Sequence, residues 1–104
     1  MFTQTSFHGP LEITDYGDGT ADVFRCEVTL DGVSHNHVAS LERVGHQWRV
    51  ASPDRVELGY VRRNRWQHWE SLVVSGETYV LVACGKPTME AAISAVLELS
   101  LIHI

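Results

Sequence analysis

Turn-forming clusters recur through most of this chain at short intervals. Gly17-Asp18-Gly19, Asp31-Gly32, Gly45, Ser52-Pro53-Asp54, Arg63-Asn64-Arg65 and Ser75-Gly76 break it into pieces too short for helices. Such punctuation, with β-branched and aromatic residues between the breaks, is the signature of an antiparallel β protein. It predicts strands over residues 11–16, 22–30, 33–44, 46–51, 55–62, 66–74 and 78–84. After Gly85 the period changes. Pro87-Thr88-Met89-Glu90 reads as a helix start, with Thr88 as the cap and Glu90 favoured by the positive end of the helix dipole. Residues 91–101 continue without a breaker, and Met89, Ile93, Val96, Leu97 and Ser100 form a stripe at helical spacing. The expected fold is α+β: an antiparallel sheet of six to seven strands, strongly curved, with one C-terminal helix packed on a face.

At 104 residues the chain has room for one domain. With 44% hydrophobic residues it can build a core without disulfide or metal staples. Cys26 and Cys84 are far apart and belong to no C-x-x-C pair. The first residues lack the basic and apolar regions of a signal peptide, and no apolar run approaches membrane-spanning length. A reduced, cytoplasmic setting with no membrane partner is expected.

The net charge of −5 is unevenly spread. Residues 1–31 carry six acids against Arg25, residues 32–65 carry six arginines against three acids, and residues 66–104 carry four acids against Lys86. The acidic total argues against general polyanion binding, but the basic middle leaves room for a local site. That middle ends in Y-V-R-R-N-R-W-Q-H-W-E, residues 60–70, which holds three arginines, two tryptophans and a histidine. Arginine and tryptophan are frequent anchors at binding surfaces, and together they hold phosphates and stack on bases. Arg62, Arg63, Arg65, Trp66 and His68, with Tyr79 from the next strand, are the candidate binding residues. The alternative is packing of the tryptophans in a small sheet and a solvated arginine turn.

Residues 60–96, about a third of the chain, resemble the AP2-type DNA-binding domains of plants and the AP2-like arm domains of phage integrases. The resemblance rests on an arginine-rich strand, W-x-x-W, a turn, a strand, and T-x-E-A opening a helix (Thr88-Met89-Glu90-Ala91). It implies three strands and a helix, with Arg62, Arg63, Arg65, Trp66 and Trp69 placed to meet a DNA groove. The strand over 78–84 departs from that pattern in carrying no basic residue. Short proteins of actinobacteria and their phages share a similar layout.

A second feature comes from the Asp31-Gly32 pair. As a two-residue loop it sets Leu30 against Val33, Val28 against His35 and Cys26 against His37. Phe24, Cys26, Val28, Leu30, Val33, His35, His37, Ala39 and Leu41 would then share one face. Cys26, His35 and His37 become candidate metal ligands, since His-x-His on a strand presents two imidazoles and cysteine supplies a third donor. Residues 35–42, H-N-H-V-A-S-L-E, also resemble the His-x-His-x4-Glu core of cupins, although Glu42 is expected on the opposite face. Neutral histidines at a sheet edge or subunit interface, beside a cysteine acting as a small apolar residue, are the alternative. Likewise, Ser75-Gly76 as a loop sets Val73 against Thr78 and Trp69 against Val82, with Trp69, Val73, Val80 and Val82 toward the helix.

No nucleophile elbow, phosphate loop or cofactor motif is present. The expectation is a non-enzymatic binding or assembly protein without a cofactor. It would act through protein–protein association, self-association included, as small phage accessory or virion proteins do. Nucleic-acid binding by residues 62–69 and metal binding by Cys26, His35 and His37 are the alternatives. The apolar chain end, residues 99–104, adds to the case for association.

Overall fold

The computed structural model describes residues 3–100 of the 104. The chain forms an eight-stranded meander: β1 (Gln4–His8), β2 (Leu11–Asp15), β3 (Thr20–Thr29), β4 (Gly32–Val44), β5 (Gln47–Ala51), β6 (Glu57–Arg63), β7 (Trp69–Ser75) and β8 (Thr78–Lys86). Each strand pairs antiparallel with the next, and α1 (Met89–Ser100) follows. No helix among the described residues is long and apolar enough to cross a membrane.

The expected sheet with a C-terminal helix is present, but with eight strands rather than six or seven. The additional one is β1. Its residues, QTSFH, are mostly polar, so no alternating apolar pattern marked it. Gly9, at φ 56°, turns the chain back into β2.

The helix packs on β6, β7 and β8 and also reaches β1 and β2. Eight strands laid flat would be roughly 34 Å wide, against about 10 Å for a helix. Strands from both ends of the sheet meet one helix only if the sheet bends around it. The inner face follows from the register. Val23 lies between Ile13 and Ala39, Leu41 between Ala21 and Val50, and Gly59 between Val50 and Val73. Ala92, Ile93 and Val96 of the helix complete this core, with Met89 and Leu97 partly buried at its rim. Thr88 caps the helix, its Oγ1 accepting the Ala91 N–H at 3.2 Å. The Ser100 side chain and residues 101–104, where the apolar terminus was noted, lie outside what is described.

Two loops sit one residue away from their expected places. The first hairpin turns at Leu30-Asp31, so Cys26 faces His35 and Phe24 faces His37. The positive φ of 134° falls on Gly32, at the close of the turn. The second hairpin turns at Gly76-Glu77, so Val73 faces Val80. There the glycine opens the loop at φ 64°, the position that a type II′ turn reserves for it. Each correction shifts the pairing by two residues, which by itself keeps side chains on their expected faces. On β8, however, the register slips again beyond Leu81, so Ser71 faces Ala83 and Trp69 faces Lys86 rather than the expected Val82. Trp69 does pack toward the helix side.

A bulge changes the rest. Between Val23 and Phe24 the β3–β4 register slips, leaving Val38 as an extra residue on β4. An extra residue inverts the facing of everything beyond it. Ala39 and Leu41 therefore enter the core, whereas Phe24, Cys26, His35 and His37 lie on the outer face with Ser40 and Glu42. The expected single face from Phe24 to Leu41 is split, and Glu42 joins the side of His37 rather than opposing it.

Candidate functional site

The outer face carries the chemistry. It begins at β2, where Glu12 faces Phe24 on β3. The Glu12 carboxylate reaches over to the Cys26–His35 pair. Its Oε2 lies 3.5 Å from Cys26 Sγ and 3.3 Å from His35 Nε2. Burial pushes the Cys26 thiol up from its ordinary range, and the Glu12 carboxylate adds to that by accepting its hydrogen bond and by its charge. The three ligating atoms lie within 4.8 Å of one another. Of the expected donors Cys26, His35 and His37, the structure brings Cys26 and His35 together. Among the described residues, Glu12 and not His37 completes the group.

His37 belongs to a neighbouring cluster. Its Nε2 lies 3.2 Å from Asp22 Oδ1 and 3.2 Å from Ser40 Oγ, and the Ser40 hydroxyl donates to the same Asp22 oxygen at 3.1 Å. Tyr16 adds a hydrogen bond to Asp22 Oδ2 at 2.8 Å, and this acceptor raises the Tyr16 pKa. The cluster sits at one end of an open groove of about 710 Å³ that continues past Arg49 to Arg55 and Glu57. Serine, histidine and aspartate meet here, though no sequence motif marked them. A nucleophilic triad holds hydroxyl and carboxylate on opposite ring nitrogens. In this cluster one nitrogen faces both, so there is no relay from serine through the ring to the carboxylate.

Further along, Tyr79 donates to Glu57 Oε1 at 2.7 Å, and Arg49 pairs with the same oxygen at 3.4 Å. Tyr60 meets Tyr79 edge-on, 4.8 Å between centroids, and Arg62 lies 6.0 Å over the Tyr60 ring. Arg62 also donates to Glu70 Oε2 at 2.9 Å. This hydrogen bond, helped by one from Asn64, holds the Glu70 carboxyl below its usual range against the opposing effect of burial.

The arginine–tryptophan segment does not form one surface. Arg62 and Arg63 are successive strand residues and point to opposite faces. Arg65, Trp66 and His68 are not in a strand, contrary to the expected strand over 66–74. Asn64 Oδ1 accepts the main-chain N–H groups of Trp66 and His68, and Gln67 turns with φ 67°. The loop presents Trp66, 64% exposed, with the Arg65 guanidinium 4.4 Å over its ring. Of the six candidate binding residues, Arg62 and Tyr79 share the outer face, Arg65, Trp66 and His68 share the loop, and Arg63 stands apart.

Val28 and Leu30, two apolar residues more exposed than Trp66, lie elsewhere. Past Cys26 on β3 and before Ser40 on β4, these two strands pair only with each other among the described residues. They project as a two-stranded ribbon. At its tip Val28 is 84% exposed, Leu30 is fully exposed and Val33 is 59% exposed. Val28 and Val33 face each other across the ribbon. No protein-family model matches the chain, and neither a curated protein nor a solved structure matches it.

Proposed function

We propose that this is a non-enzymatic assembly protein that associates with copies of itself through the β3–β4 ribbon. The observation that carries this is the cluster of Val28, Leu30 and Val33 in solvent at the ribbon's end. An isolated two-stranded hairpin is marginally stable in water. Large aliphatic side chains at the tip of such an arm add little to the fold that bears them beyond the Val28–Val33 pair itself, and their burial against another subunit supplies the missing apolar contact. Among the described residues, the strands at the two ends of the sheet, β1 and β8, each pair on one side only and offer main-chain groups as further attachment points.

The arginine–tryptophan turn supports nucleic-acid binding less well. Arg62 and Arg49 are already paired with carboxylates, and Arg63 faces away from Arg62. Light scattering from low to high micromolar concentration tests the assembly reading. The parent chain is expected to form a discrete oligomer, and Val28→Ser/Leu30→Ser/Val33→Ser to remain a folded monomer. A parent that stays monomeric throughout overturns it.

A further inference from the structure

We propose that Glu12, Cys26 and His35 form a binding site for a zinc-class divalent cation that fastens the ribbon to the body of the sheet. The three residues come from three consecutive strands, β2, β3 and β4, and meet where the ribbon leaves the sheet. Their donors are a thiol, an imidazole and a carboxylate, the set from which tetrahedral zinc sites are built. The spacing fits such an ion. With a Zn–S distance of about 2.3 Å and Zn–N and Zn–O distances of about 2.0 Å, a tetrahedron has S···O edges of about 3.5 Å and N···O edges of about 3.3 Å. The observed Sγ···Oε2 and Nε2···Oε2 separations are 3.5 and 3.3 Å, and both involve the same Glu12 oxygen. The third edge, from sulfur to nitrogen, is within 4.8 Å. It closes by a small swing of the half-exposed His35 ring. That ring opens the fourth position to solvent or to a ligand from a neighbouring molecule.

Binding takes the Cys26 thiol to the thiolate and releases its proton to water, and the His35 ring ligates as the neutral tautomer with its proton on Nδ1, leaving the Nε2 lone pair for the ion. The ion then replaces the thiol and imidazole contacts to Glu12 with direct bonds. It ties β2 to both strands of the ribbon, whose outer part has no other partner in the sheet among the described residues. This is the kind of staple a two-stranded projection lacks.

The test uses the full chain stripped of metal and titrated with Co²⁺ alone, followed by Zn²⁺ competition. The expected result is one equivalent of cobalt with a thiolate-to-metal band in the near ultraviolet and the intense visible bands of tetrahedral coordination, displaced by zinc. Cys26→Ser removes the thiolate band, while Cys84→Ser keeps it. Glu12→Gln and His35→Ala each weaken binding more than about 100-fold, because loss even of groups that merely support metal ligands costs 10- to 100-fold. Circular dichroism on each variant separates lost ligation from lost folding. No thiolate band in the parent, or a band that survives Cys26→Ser, overturns the site. His37→Ala as damaging as His35→Ala would overturn the assignment to Glu12.

Discussion

Ser71 on β7 donates its hydroxyl hydrogen to the main-chain carbonyl of Ala92 on α1 at 2.7 Å. Ser71 is fully buried, and this bond joins helix to sheet in the middle of an otherwise apolar core. Ala92 O also accepts its own helical hydrogen bond by the ordinary geometry of an α-helix. Ser71→Ala therefore leaves no orphaned acceptor and should cost only about 1 kcal/mol in urea unfolding. Ser71→Val should cost more, about 1–3 kcal/mol, because the added methyl groups push against a close-packed helix. A valine variant more stable than the alanine one would show slack at this contact.

Gly59 on β6 is buried opposite Val73, and the main chain of β7 runs close over it. A β-carbon there would collide with the Leu72 carbonyl and sit 3.0 Å from Val73 Cα. Main chain cannot swing aside as a side chain does, so Gly59→Ala should destabilise by about 3 kcal/mol, at the upper end for overpacking. Gly76→Ala is the control. Its surroundings are open, and only its left-handed φ of 64° opposes a side chain, at about 1 kcal/mol. Equal losses at the two positions would mean that the sheet shifts to admit the methyl group.

These two contacts mark where sequence legibility ends. Seven of the strands and the helix were readable because their apolar residues alternate or recur at helical spacing between clear breaks. β1 was not, since its one large apolar residue, Phe7, faces solvent. Glycine identified both hairpins but not its own place within them: Gly32 closes its turn and Gly76 opens its own. The shift of two residues preserved the faces, so Cys26 and His35 still share one, although Cys26 was expected opposite His37. Glu12 could not be foreseen as their partner, because that required the β2–β3 register and no tight turn fixes it. The Val38 bulge was equally invisible, because the exposed Val33 stands at an odd-numbered position like the buried Ala39 and Leu41, so the apolar alternation runs on unbroken across it. In the loop, W-Q-H looked like strand, yet the Asn64 side chain takes the main-chain N–H groups that a strand would have shared with its neighbour.

The Arg62–Glu70 pair should make stability depend on acidity in a defined direction. Arg62 lowers the Glu70 pKa from its ordinary 4.5 in the folded chain. A carboxyl with a depressed folded pKa contributes stability above its unfolded value and loses it as pH falls through the folded one. The contribution should therefore be complete at neutral pH and fade below about 4.5. Because the Arg62 side chain is 42% exposed, solvent screening limits the pair to about 1 kcal/mol or less. Urea unfolding of the parent and Arg62→Ala should differ by about that amount at pH 7, and the difference should shrink as the pH is taken progressively below the ordinary carboxyl range. A gap that persists in acid would mean that Arg62 acts through its packing over Tyr60.

The ribbon should announce association through its own amides. Its outer residues, about 27–34, are held by a single ladder with no other strand beside them among the described residues, so they open without disturbing the core. Hydrogen exchange in a dilute sample should find these amides weakly protected while β6 and β7, central in the sheet and under the helix, exchange slowly. If tips pack together in the oligomer, raising the protein concentration should slow exchange at the ribbon. In Leu30→Asp, exchange should stay fast at every concentration. Overall stability should change by no more than about 0.5 kcal/mol, since a fully exposed side chain contributes little to its own fold. Protection that rises with concentration along β1 or β8 while the ribbon stays open would place the interface at the sheet edges.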